Sequence, residues 1–170
     1  MARPDAGDGR GLFFMPEIDD EVIIGYLNDD PRNPVVLGVL HSSAKPAPLT
    51  ASDDNHEKGI ITRDELKVLF NDDLKSIELS TPNGNKILMS DDEGGINIED
   101  ENGNKLVMSS DGIVIESAKD LILKATGDVT MEGTNISLAA NAEFKAEGSA
   151  GAELSTGAIA VLKGSLVQIN

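Results

Sequence analysis

From about Lys75 to Asn170 this chain repeats one short strand, with shorter turns from Gly112 onward. Ile113-Val114-Ile115-Glu116, Leu121-Ile122-Leu123-Lys124 and Val129-Thr130-Met131-Glu132 each set two apolar residues two positions apart, and the unit returns about every eight residues. After one shortened step come Ile136/Leu138, Phe144/Ala146, Ala152/Leu154, Ala160/Leu162 and Gln168/Asn170. Two-residue alternation inside a short period predicts a stacked β-solenoid, in which each unit buries its apolar face only against its neighbours. Gly127-Asp128, Gly133-Thr134, Gly148-Ser149, Thr156-Gly157 and Gly164-Ser165 mark the corners, where glycine relieves backbone crowding. A corner at that spacing leaves flat sides, and three sides make a triangle with two side chains of each turned inward. The core expected on this basis is Ile113, Ile115, Leu121, Leu123, Val129, Met131, Ile136, Leu138, Leu154 and Leu162; Glu116, Lys119, Asp120, Lys124, Asp128 and Glu132 face outward. The period permits one chain wound on itself or three chains interwound. Thin strands with open edges favour three, because interwound chains satisfy one another's backbone groups.

Composition suits a thin core. Aromatic residues are 3% of the chain, with no Trp and one Tyr, so bulky ring anchors are scarce. Thirty acids against 14 bases give a net charge of −16. Phosphate-backbone binding needs clustered Lys and Arg, which argues against a nucleic-acid partner. Anionic membrane surfaces are disfavoured for the same reason, so only transient membrane contact is expected. The chain has no cysteine, which excludes disulfides, thiolate metal sites and cysteine nucleophiles. Met1-Ala2-Arg3-Pro4-Asp5 shows no apolar signal segment, so export is expected to need a dedicated machine.

Three textures divide the chain. Residues 1–41 carry the apolar runs Gly11–Met15, Glu21–Leu27 and Pro34–Leu40, with turn formers Asn28-Asp29-Asp30-Pro31-Arg32-Asn33 between the last two. This reads as part of a small β-barrel. Residues 42–58, with Lys45-Pro46-Ala47-Pro48, read as a linker. Residues 59–170 are strands, and one unit there is nearly duplicated: Ile77-Glu78-Leu79 through Asn83-Gly84-Asn85 to Lys86–Ser90, then Ile96-Asn97-Ile98 through Asn102-Gly103-Asn104 to Lys105–Ser109. Each Asn-Gly predicts a tight type I′ hairpin. Asp64–Phe70 is long enough for one helical turn, but its neighbours favour strand.

The N-terminal run Gly9-Arg10-Gly11 through Pro16-Glu17-Ile18-Asp19-Asp20-Glu21-Val22-Ile23-Ile24-Gly25-Tyr26 resembles the OB-fold signature of VgrG spikes, the central needles of type VI secretion systems and relatives of contractile phage-tail baseplates. Asp30-Pro31-Arg32-Asn33-Pro34-Val35-Val36-Leu37-Gly38 resembles the second half of that signature. The residues that carry it are Pro16, Asp20, Glu21, Val22, Gly25, Asp30, Pro31, Pro34 and Gly38. The resemblance implies an all-β chain: a partial OB-fold followed by an interwound triple-stranded β-helix in a homotrimeric spike. It further implies assembly in the cytoplasm within a contractile apparatus, then injection, with the needle breaching a target envelope and carrying a tip protein or effector. Hub and tail-tube proteins would lie at the N-terminal side. The hub region and first OB strands of full-length members are absent, so the chain is expected to be a shortened form. A PAAR-type tip protein would dock on the C-terminal face formed by Ser165, Leu166, Val167, Gln168, Ile169 and Asn170.

Other chemistry finds little footing. His41 and His56 are the only histidines and stand too far apart in sequence to form the paired-imidazole iron site of some phage needles; they read as linker residues. Asp91-Asp92-Glu93 and Glu99-Asp100-Glu101 lack the glycine spacing of calcium-binding β-rolls and read as solvated turns. A narrow rod offers no cleft for paired carboxylates, so no enzyme, metal or cofactor is expected. Met89 and Met108 occupy equivalent places in the duplicated unit and read as packing residues. The alternative function is a β-helical fibre or adhesin module that binds surface polysaccharide, but Phe13, Phe14, Tyr26, Phe70 and Phe144 form no stripe.

Overall fold

The computed structural model describes residues 1–168. The chain divides into two units, Met1–Ile122 and Leu123–Asn170.

The first unit is all-β apart from one 3-10 turn. Strands β1 (Ala6–Gly7) and β2 (Arg10–Gly11) form a short hairpin. Strands β3 (Glu21–Tyr26) and β4 (Pro34–Leu40) pair antiparallel, with an irregularity between Ile23 and Ile24. The run Leu12–Met15 is not a strand, and its side chains are exposed. The β3–β4 connection is organised by Asp30. Its carboxylate accepts from the Arg32 guanidinium at 2.8 Å and from the Arg32 backbone N–H at 3.0 Å. Backbone bonds from Leu27 to Asn33 and from Asn33 to Asp30 close the loop. Asp20 holds the entry to β3 by accepting from the Glu17 N–H at 2.8 Å and pairing with Lys45 at 3.1 Å. Thus two acids of the sequence signature shape turns.

Seven strands follow in one antiparallel meander, each paired with its sequence neighbours. They are β5 (Glu57–Ile61), β6 (Lys67–Asn71), β7 (Ser76–Ser80), β8 (Lys86–Ser90), β9 (Gly95–Glu99), β10 (Lys105–Ser109) and β11 (Gly112–Glu116). The duplicated unit is in fact a run of three. Lys67, Lys86 and Lys105 each open a five-residue strand, and equivalent residues lie 19 apart (86 − 67 and 105 − 86). At one end of the strands, three turns share one geometry: Thr62, Thr81 and Asp100 each donate a backbone N–H to the carbonyl four residues on, at 3.0, 3.0 and 3.1 Å.

These turns differ from the type I′ hairpins expected from Asn-Gly. Gly84 and Gly103 have φ of 97° and 87°, while Asn83 and Asn102 are not left-handed. The glycine N–H closes a four-residue turn back to Thr81 or Asp100, so the asparagine is the second central residue of that turn and the left-handed glycine, its last, forms the bulge. The first copy has Glu65 at the glycine position, with φ of 61°. A left-handed conformation costs an L-residue about 1–2 kcal/mol that glycine does not incur.

Beyond β11 the expected strands have no ladder. Among the described residues, none after Glu116 is in a strand and no backbone–backbone bond joins two residues of 117–167. A strand is defined by its partner, and among the described residues none supplies a ladder to 117–167. The second unit, described by itself, is extended chain with bends at Thr126–Gly127, Thr134, Asn141–Ala142, Ser149–Ala150, Gly157–Ala158 and Ser165. The bends return about every eight residues, at or beside each glycine pair marked as a corner.

Glu65→Gly is expected to raise thermal stability by about 1 kcal/mol, and Gly84→Ala and Gly103→Ala to lower it by a similar amount. Melting curves of the three variants check this; a Glu65→Gly protein that melts lower than the parent contradicts the turn assignment.

Candidate assembly surface

The register of the meander sorts its side chains by face. One column runs Phe70, Ile77, Met89, Ile96, Met108, Ile113 across successive strands. The column beside it runs Ile60, Val68, Leu79, Ile87, Ile98, Leu106, Ile115. Both columns point to the same face because their members stand two residues apart on each strand. The face is apolar from β6 to β11. At β5 its first column ends in Lys58, whose ammonium contacts the Asn55 carbonyl and pairs with Asp72, holding that carboxyl below its ordinary value.

The opposite face is mixed. Its central column is Leu69, Glu78, Leu88, Asn97, Val107 and Val114, flanked by Lys67, Ser80, Lys86, Glu99, Lys105 and Glu116. Partial burial pushes Glu78 up, but hydrogen bonds from Ser80 at 2.9 Å and from Lys86 outweigh it and hold the carboxyl below its ordinary value.

Among the described residues of the first unit, none is packed across the apolar face from β6 to β10. Leu88, the one buried apolar side chain among the described residues, lies on the mixed face. On the apolar face Phe70 is 42% exposed and Ile113 68%. An open groove of about 800 Å³ follows the second column, past Leu79, Ile87, Ile98, Leu106 and Ile115 to Leu121. The whole chain exposes 15202 Å². A folded monomer of 17.9 kDa exposes roughly 8,000 Å². An apolar face left open along successive strands from β6 to β11 marks an interaction surface.

Of the expected core, Ile113 and Ile115 stand on β11 in the two apolar columns. Leu121 lines the groove. Leu123, Val129, Met131, Ile136, Leu138, Leu154 and Leu162 lie outside any strand and are exposed, Leu123 at 71% and Leu154 at 84%. At the end of the chain Ser165 is a bend, and Leu166 and Val167 are exposed. Ile169 and Asn170 lie outside the described residues. The apolar positions of β5 to β10 were not among the core residues expected from the octads, although the two-residue alternation in each strand carries them. Among the described residues, no three His, Asp or Glu side chains come close enough to hold a metal ion.

The turns at the edge of this surface are braced by side chains. Asp100 accepts from the backbone N–H of Asn102 and of Asn104, both at 2.9 Å, and from the Asn104 side-chain amide at 2.7 Å. The Asn104 amide oxygen in turn accepts from the Ala118 N–H at 3.0 Å and the Ser117 hydroxyl at 3.2 Å. The Asn85 oxygen accepts from the Glu101 N–H at 3.4 Å. Each Asn-Gly-Asn turn is therefore tied to the next segment along the chain.

Comparison with known families gives two matches. Residues 1–41 match the type VI secretion system/phage-baseplate injector OB domain. Residues 76–170, more than half of the chain, match the phage baseplate V C-terminal trimerisation domain. Among curated proteins, none matches.

The bonds from Asn104 and Asn102 hold the Asp100 carboxyl at about 2, below its ordinary 3.8. A depressed carboxyl stabilises the fold above its unfolded pKa, and that contribution is lost as pH falls through the folded value. The Asn102 and Asn104 amide resonances are therefore expected to hold steady down to pH 3.8 and to shift with a midpoint near 2 in an NMR titration. A midpoint at the ordinary value contradicts the bracing.

Proposed function

The chain belongs to the type VI secretion and phage-baseplate spike family, its residues 76–170 being the C-terminal trimerisation domain, and from that premise we propose that it is a VgrG-type needle whose three copies close an interwound β-helix. The observation that carries the proposal is the uncovered apolar face. Three copies of the β5–β11 meander set face to face form a triangular prism with the two apolar columns of each sheet inside and the mixed faces outside. Below β11 the same inward pairs continue as single-strand sides, and each copy supplies the ladder partners that the others lack. Residues 42–56 serve as the linker between the OB part and this rod, two residues short of the expected 42–58 because β5 begins at Glu57.

The action is mechanical. Force from a contractile tube passes along the cross-strand hydrogen bonds, and the needle breaches an envelope. A net charge of −16 per chain limits sticking to anionic headgroups. Assembly in the cytoplasm precedes injection. A PAAR-type tip protein that carries an effector docks on the C-terminal face around Ser165 to Asn170, where open backbone groups would serve as a template for an added strand. Hub and tail-tube proteins engage the N-terminal side. The role needs no enzymatic step.

The test separates the two faces of one strand. Ile98→Asp places three charges in one layer of the prism, each costing several kcal/mol. Asn97→Asp, its neighbour, puts the same group on the outer face. Light scattering is expected to show the trimer lost in the first and kept in the second. An Ile98→Asp protein that assembles and melts like the parent contradicts the proposal. For the tip, deletion of residues 166–170 is expected to leave the trimer intact and abolish capture of a cognate PAAR-type protein in a pull-down; undiminished capture places the docking face elsewhere.

A further inference from the structure

The two Asn-Gly turns are equivalent by sequence but unequal in what holds the asparagine. We propose that Asn83 is a site of spontaneous deamidation and that its counterpart Asn102 is shielded from the same reaction by Asp100.

In this reaction the backbone nitrogen of the following glycine attacks the asparagine side-chain carbonyl carbon. A Cγ–N bond forms to the glycine nitrogen, the Cγ–Nδ2 bond breaks, and the amide nitrogen leaves as ammonia with the glycine N–H proton. Water then opens the five-membered imide at either carbonyl, giving aspartate or isoaspartate. No oxidant or reductant is involved. Glycine permits the attack because it has no Cβ to obstruct it.

The nucleophile is the same in both turns. The Gly84 N–H donates to the Thr81 carbonyl at 3.0 Å and the Gly103 N–H to the Asp100 carbonyl at 3.2 Å. The electrophile is not. The Asn102 amide nitrogen is tethered to the Asp100 carboxylate at 3.4 Å, and the Asn102 backbone N–H donates to the same carboxylate at 2.9 Å. To reach the glycine nitrogen the amide must leave a charge-assisted contact. The position equivalent to Asp100 is Thr81, whose hydroxyl is taken by the Asn85 amide at 3.1 Å. Among the described residues, nothing bonds the Asn83 side chain. The surroundings differ in the same sense. A Cβ built on Gly103 meets the Ala118 side chain at 3.9 Å, whereas one built on Gly84 meets nothing within 4 Å. Asn83, Gly84, Asn102 and Gly103 are all exposed, so solvent access does not separate the two sites and the Asp100 tether does. The low pKa of Asp100 keeps its carboxylate ionised wherever the reaction runs.

Each conversion of Asn83 adds one negative charge. The isoaspartate product also adds a methylene to the backbone of a turn that closes on Gly84. The turn between β7 and β8 is thus where the chain ages first.

The experiment incubates the intact full-length protein at mildly alkaline pH and follows aspartate and isoaspartate formation at both sites by peptide mass spectrometry. Asn83 is expected to convert on the order of tenfold faster than Asn102, the factor that one charge-assisted hydrogen bond supplies. In Asp100→Ala, Asn102 is expected to approach the Asn83 rate while Asn83, the internal clock for global unfolding, is unchanged. In Thr81→Asp, Asn83 is expected to slow. Equal rates in the parent, a faster Asn102, no conversion at Asn83 while the urea-unfolded chain converts, or an Asn102 rate untouched by Asp100→Ala would each overturn the proposal.

Discussion

Everything in this structure depends on the register of one antiparallel meander. Because each strand of the sheet is paired without slippage, residues two apart keep to one side across seven strands. A shift of one residue in any pair would carry that strand's apolar residues to the mixed face. The five-residue turns at Thr62–Leu66, Thr81–Asn85 and Asp100–Asn104 guard against that shift, since their closing bonds set which residues face each other. The repeated turns and the continuous apolar columns are one feature described twice.

The consequence is a chain that is folded but not finished. Its most buried apolar residue, Leu88, lies on the face that needs no partner, and the face that needs one is open. A sheet in that condition either aggregates or assembles with something of matching shape. Copies of itself match by construction, and a trimerisation domain over residues 76–170 supports a homotrimer. The apolar columns continue upstream of that domain through Val68, Phe70 and Ile60, so the surface is longer than the matched region.

Much of this was legible in the residues. Two-residue alternation sets Ile113 and Ile115 on one face of β11, and the bends after Leu123 lie at or beside the glycine pairs. The OB signature was readable, and a family match covers the same residues. The first copy of the 19-residue unit was harder to see, because Asp64-Glu65 stands where the later copies have the Asn-Gly cue. Asn83-Gly84 and Asn102-Gly103 suggested the commoner two-residue hairpin, and only the backbone bond from glycine to Thr81 or Asp100 distinguishes the bulged form. Among the described residues no backbone ladder joins residues 117–167, so the partners proposed for them in neighbouring copies were not legible in one sequence.

Those partners are the central claim, and amide hydrogen exchange on the assembled protein tests it most directly. If neighbouring copies supply the missing ladder, the amides of residues 121–163 exchange slowly, with fast exchange confined to the bends near Gly127, Thr134, Ser149 and Gly157. Uniform exchange across 121–163 at the rate of an unstructured peptide would contradict the account.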